Sequence, residues 1–160
     1  MSLSSFSDPR SVAVVGASEL PVSVTTRLGW SDDTIQILDV ARMLEDCGVK
    51  ALAVHARTRS QMYTGEARWH WLRKIKEESG IAIPLIGNGD ATDPEKVKKM
   101  FDETGVDAVM IGRGAYGKPW LLAQVMHWWR TGQMLASPSI DVQYATLVEH
   151  YSHMLEHYGR

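Results

Sequence analysis

Ile86-Gly87-Asn88-Gly89-Asp90 and Val109-Met110-Ile111-Gly112-Arg113-Gly114 decide how the rest of this chain is read. Each is a short apolar run that breaks into glycine, and the Asp93-Pro94 pair that starts a helix lies between them. Glycine lets a backbone approach a ligand closely, and exposed amides after a strand can hold a phosphate. Two such junctions on consecutive strands predict a phosphate-cofactor site at one end of a parallel sheet.

Outward from these junctions the chain alternates. Strands are expected over residues 21–26, 51–55, 83–86 and 108–111. Helices are expected over 35–47, 69–79 and 93–104, the first capped by Ser31-Asp32-Asp33 and the three stopped by Gly48, Gly80 and Gly105. Each strand is a nearly continuous apolar run followed by a helix, the signature of buried parallel strands joined by crossovers. Near the start, Asp8-Pro9 reads as an N-cap with proline at the first helical position, and helix and strand compete over Val12-Ala13-Val14-Val15-Gly16. After Trp120 the chain reads as helical, with a break over 132–139 and an amphipathic helix over 142–158. Four βα units admit an open doubly wound sheet or half of an eight-stranded barrel. A complete barrel takes ~250 residues, and phosphate binding after two consecutive late strands is a barrel habit. The pattern favours an α/β fold that is a partial TIM (β/α)8 barrel.

The bulk properties set limits on function. The 160 residues are 44% hydrophobic and 22% charged, with a formal net charge of −2, so no global basic field draws the chain to nucleic acid. A single cysteine excludes an internal disulfide framework and fits a reducing compartment. Met1-Ser2-Leu3-Ser4-Ser5-Phe6 lacks the charged and apolar regions of a signal peptide, and no stretch approaches the ~20 apolar residues needed to span a bilayer. The expectation is a cytoplasmic domain with no membrane partner.

Gly112-Arg113-Gly114-Ala115-Tyr116-Gly117 matches G-x-G-x-x-G, but it follows the last strand rather than opening the first βαβ unit, so the dinucleotide reading is rejected. A phosphate loop in which Arg113 adds fixed positive charge survives. His55, Arg57 and Arg59 sit at the exit of the second strand. The histidine could donate to a cofactor carbonyl, and the arginines could hold phosphates or belong to a solvated loop. Asn88 and Asp90 suit hydrogen bonds to sugar or ribityl hydroxyls, with an Asx turn as the alternative for Asp90. His150, His153 and His157 share a face of the last helix without a converging ligand cluster, so no metal site is expected. Cys47 has no adjacent base and is expected in the core.

Pro21-Val22-Ser23-Val24-Thr25-Thr26-Arg27-Leu28-Gly29-Trp30 resembles the segment PVTVKxRLGW of the tRNA-dihydrouridine synthases, and residues 55–69 (HARTRSQMYTGEARW) resemble their HGRTRxQxYxGxAxW. IGNGD and VMIGRGAYGKPW follow in the family's order and spacing. The likeness is to the bacterial branch related to nitrogen-regulation protein three. It implies strands five to eight of a flavin-binding barrel over 1–131 and the start of a helical tRNA-binding region over 132–160. It further implies FMN as cofactor, NADPH as reductant and tRNA as partner. Asn88, Gly89, Asp90, Gly112 and Arg113 would hold the FMN phosphate and ribityl chain, His55 would face the flavin ring, and Arg57 and Arg59 would lie near flavin or RNA. The family lysine after PVTV is Thr25 here, and the family's proton-donating cysteine matches no position, so no catalytic residue is assigned. The chain alone is therefore expected to be inactive. A non-catalytic FMN- or phosphate-binding half-barrel and a homodimer pairing through open barrel edges are the alternatives.

Overall fold

The computed structural model describes residues 21–159. The readings at Asp8-Pro9 and Val12 to Gly16 therefore lie outside the described residues. Contacts divide the chain into two compact units, Met1–Tyr116 and Gly117–Arg160.

The first unit holds four strands, β1 (Ser23–Arg27), β2 (Ala51–His55), β3 (Leu85–Asn88) and β4 (Ala108–Met110), with the helices α1 (Ile37–Asp46), α2 (His70–Glu78) and α3 (Pro94–Thr104) between them. All neighbours pair in parallel, in the order β1-β2-β3-β4. A doubly wound sheet reverses its strand order at a switch point; this one advances one strand per helix without reversal, as a barrel does. Right-handed crossovers then place α1, α2 and α3 on one face of the sheet. The fold is α/β, with a four-stranded parallel sheet of the partial TIM-barrel kind.

The core lies between that face and the sheet. Leu52, Val54 and Leu85 from the strands are fully buried with Ile37, Ala41 and Leu44 of α1, Leu72 and Ile75 of α2, and Val97 and Met100 of α3. Each helix contributes residues three or four apart, as a helix with one buried stripe must. Gly87 belongs to this core. A Cβ there would stand 2.7 Å from the Met100 sulfur and 3.2 Å from Leu72 Cδ1, so the missing side chain lets α2 and α3 close on the sheet.

Three sequence readings need correction. The third strand starts two residues later than expected, because Pro84 has no N–H to give a ladder, while Gly87 and Asn88 continue the pairing. Ser31 caps a short 3-10 turn (Asp32–Thr34) rather than α1, its backbone N–H donating to Thr34 Oγ1 at 2.8 Å. Cys47 is exposed, not in the core, since the α1 stripe of Ile37, Ala41 and Leu44 ends before it and the chain turns away at Gly48.

The second unit contains α4 (Leu121–Thr131), stopped by Gly132 in a left-handed conformation, and α5 (Ile140–Tyr158), which begins two residues before the expected start. His150, His153 and His157 lie on exposed turns of α5. No helix of the described residues is long and apolar enough to cross a membrane.

Candidate phosphate-cofactor site at the strand exits

Parallel register brings one residue from each strand to the same level. Arg27 stands opposite His55, His55 opposite Asn88, and Asn88 opposite Met110. Just beyond this row opens a cavity of about 460 Å³, within the range of small-molecule sites. His55, Arg57, Asn88, Gly89, Asp90, Gly112 and Arg113 all line it. Arg59 and Thr25 do not; both side chains are exposed, and Arg59 lies 6.0 Å from the Trp30 ring.

The two glycine junctions meet here. A Cβ on Gly114 would fall 2.6 Å from the Ala91 carbonyl oxygen and 2.8 Å from Thr92 Cα, so only glycine lets the loop after β4 lie against the loop after β3. Gly89 has φ +121°, a conformation closed to other residues, and a Cβ there would strike Ala67. Asn88 fixes the junctions from the sheet side, its amide donating to the Met110 carbonyl at 2.7 Å.

Arg57, expected to reach flavin or RNA, turns inward. Its side chain is 2% exposed, and Nη2 donates to both oxygens of Asp90 at 2.8 Å and to the Gly65 carbonyl at 2.6 Å. Asp90 also accepts the Ala67 backbone N–H at 2.7 Å. It sits at φ 59°, in the left-handed region that Asn and Asp tolerate best among residues with a Cβ. Burial pushes the Asp90 carboxyl up, but the Ala67 amide and the Arg57 hydrogen bonds, with the Arg57 and Arg113 charges, outweigh it and hold the group below the usual range. Asp90 thus ties the loop after β2 to the loop after β3.

His55 is buried at the floor. Burial, reinforced by the charges of Arg27, Arg57 and Arg113, lowers its pKa to about 4. The ring is therefore neutral at neutral pH. Arg57 Nη1 lies 3.4 Å from His55 Nε2, and an arginine can only donate, so Nε2 is the acceptor and Nδ1 carries the proton. A neutral imidazole with one N–H suits a carbonyl-bearing ligand.

Two residues outside the sequence reading belong to this site. Tyr63 lines the cavity, with the Arg113 guanidinium 3.9 Å from its ring centroid and that of Arg27 at 5.5 Å. Trp69 donates from Nε1 to the Gly89 carbonyl at 2.9 Å and so supports the β3 junction from below. The conjunction of an aromatic in a polar loop with three arginines was the available signal. Among the described residues, no group of three or more His, Cys, Asp or Glu side chains gathers to hold a metal ion.

A barrel-type parallel sheet with an anion-attracting cavity at its strand exits is the class of protein that fold and site define. Residues 11–160 match the family model described as dihydrouridine synthase. The probable tRNA-dihydrouridine synthase of Rickettsia conorii is 44% identical over 147 residues, covering 92% of this chain and 44% of that protein. The tRNA-dihydrouridine synthase B of Shewanella oneidensis is 41% identical over 147 residues, covering 92% and 45%. That of Pseudomonas aeruginosa is 43% identical over 148 residues, covering 92% and 44%. The chain belongs to the dihydrouridine synthase family, and it spans a little under half the length of these curated relatives.

Proposed function

We infer that this chain carries the flavin-phosphate grip of a tRNA-dihydrouridine synthase, with FMN as cofactor, NADPH as reductant and tRNA as partner. The observation that carries the reading is the meeting of the two glycine junctions around one cavity, with Arg113 on its wall and a neutral His55 at its floor. The donor set fits such a group: a guanidinium for phosphate, amide and backbone groups of 88–90 and 112–114 for phosphate and ribityl oxygens, and one imidazole N–H for a ring carbonyl. FMN, when bound and reduced, supplies the hydride that adds to the uracil ring of a tRNA uridine.

The chain's own residues bind and orient. Arg113 neutralises the phosphate, and Asn88 and Gly89 present polar groups beside it. His55 holds its proton on Nδ1 and donates toward the ring. Asp90 and Arg57 keep the two loops in place. Arg59, exposed and outside the cavity lining, is assigned to the RNA. By this reading residues 1–131 serve the barrel and 132–160 begin the tRNA-contacting helical region.

The test is flavin titration of the purified 160-residue chain, followed by quenching of flavin fluorescence. FMN is expected to bind more tightly than riboflavin, and Arg113→Gln to abolish that preference. Equal affinity for the two flavins, or none for either, would refute the grip.

A further inference from the structure

Tyr63 is an exposed side chain of the cavity on a braced stretch of backbone. Its ring is 53% exposed, yet the backbone on both sides of it is tied down. Arg27 Nη1 donates to the carbonyl of Met62 at 2.8 Å and to that of Thr58 at 2.9 Å. Arg57 donates to the carbonyls of Thr64, at 3.4 Å, and Gly65, at 2.6 Å. Met62 itself has φ 53°, a left-handed conformation uncommon for a methionine. A strained residue and two arginine clamps bracket a single aromatic ring, and that ring lies under the guanidinium of Arg113 at 3.9 Å.

We propose that Tyr63 is a positioning residue for Arg113, holding the plane of its guanidinium so that the N–H edge faces the phosphate position of the cavity. A guanidinium stacked on a ring gives up the hydration of one face and keeps all its in-plane donors. Arg113 is exposed, and a Cβ added on the preceding Gly112 would meet nothing within 4 Å, so the backbone that enters Arg113 is open rather than walled. Tyr63 supplies that wall from a loop fifty residues earlier in the chain. The role rests on the reading of Arg113 as the phosphate ligand.

The Arg113 Nε–H resonance of the flavin-free chain tests the stack without any ligand. It is expected to be displaced by the ring current, to stay so in Tyr63→Phe and to return to an ordinary position in Tyr63→Leu. A resonance already ordinary in the unsubstituted chain overturns the proposal. Flavin titrations then test the consequence. Tyr63→Leu is expected to weaken FMN about five- to tenfold while riboflavin changes less than about twofold, the loss Arg stacking commonly represents. Tyr63→Phe should match the unsubstituted chain, and Tyr63→Leu should cost nothing further in an Arg113→Gln background. Equal loss of both flavins, or an undiminished loss without Arg113, would assign Tyr63 to the flavin ring and overturn the positioning role. If the unsubstituted chain binds no flavin, the flavin reading falls, and a ring-shifted Arg113 resonance that moves on addition of inorganic phosphate only when Tyr63 or Phe is present still supports the positioning role; phosphate shifts independent of Tyr63 overturn it.

Discussion

Arg57 and Arg59 are two residues apart and meet opposite fates. The first is buried against Asp90 and two loop carbonyls; the second lies exposed beside Trp30. Removing one partner of a largely buried pair leaves a charge and two carbonyls without their donor. Arg57→Ala is expected to cost about 2–3 kcal/mol in urea unfolding, toward the lower end of buried-pair values because Asp90 is 31% exposed. Arg59→Ala should cost less than ~1 kcal/mol. Arg57→Lys should not rescue, since a single ammonium nitrogen on Asp90 leaves no second donor for the Thr64 carbonyl and none beside His55, which the guanidinium reaches with Nε and Nη1. His55 gives a second expectation. Its folded pKa, about 4, lies below the ordinary 6.5, so the unfolded chain takes up a proton that the folded chain refuses. Stability should therefore be lost as pH falls from 6.5 toward 4. His55→Gln should flatten that part of a melting-temperature profile relative to the unsubstituted chain. His70, shifted the same way by burial, is common to both proteins and cancels.

Among the elements, α3 shows how local chemistry is read directly. Asp93 accepts the Lys96 N–H at 2.8 Å, Pro94 occupies the first turn, and Gly105 closes the helix at φ 68°. All three are nearest-neighbour effects, so a short window of sequence contains them. The strand β2 is equally plain because its run Ala51 to Val54 is apolar on both faces. The start of β3 escaped because Pro84 extends the apolar run without extending the ladder. The pairings of Arg57 with Asp90 and of Tyr63 with Arg113 escaped for a different reason: the partners lie 33 and 50 residues apart, and no periodicity connects them. The contact between the strand-exit loops is of that long-range kind too. Gly114→Ala would drive a methyl into the Ala91 carbonyl, and backbone cannot step aside as a side-chain tip can. A loss of about 1–3 kcal/mol by thermal or urea unfolding is expected, with FMN affinity falling in parallel.

At the scale of the whole chain, the barrel progression and the cavity were legible from four ordered motifs, and the family match extends over 11–160. The cavity supplies binding groups: His55 is held neutral, Asp90 is held ionised, Cys47 is absent from its lining, and the family's proton-donating cysteine matches no position of the chain. The 160-residue chain, assayed alone with FMN, NADPH and unmodified tRNA, is therefore expected to form no dihydrouridine above background, measured by nucleoside chromatography. Turnover above background would overturn that expectation.

The level row of Arg27, His55, Asn88 and Met110 also dictates where the chain tolerates changes of length. Neighbouring strands stand ~4.8 Å apart, so the row spans about 14 Å and works as a ruler with one mark per strand. One residue added inside β3 would carry Asn88 to the opposite face of the sheet and erase its mark. The same addition at the solvent-facing turn around Gly80, on the far side of the ladder, leaves every mark where it was. Length variation in this part of the family should therefore collect in the turns that enter the strands and be rare within the strands themselves.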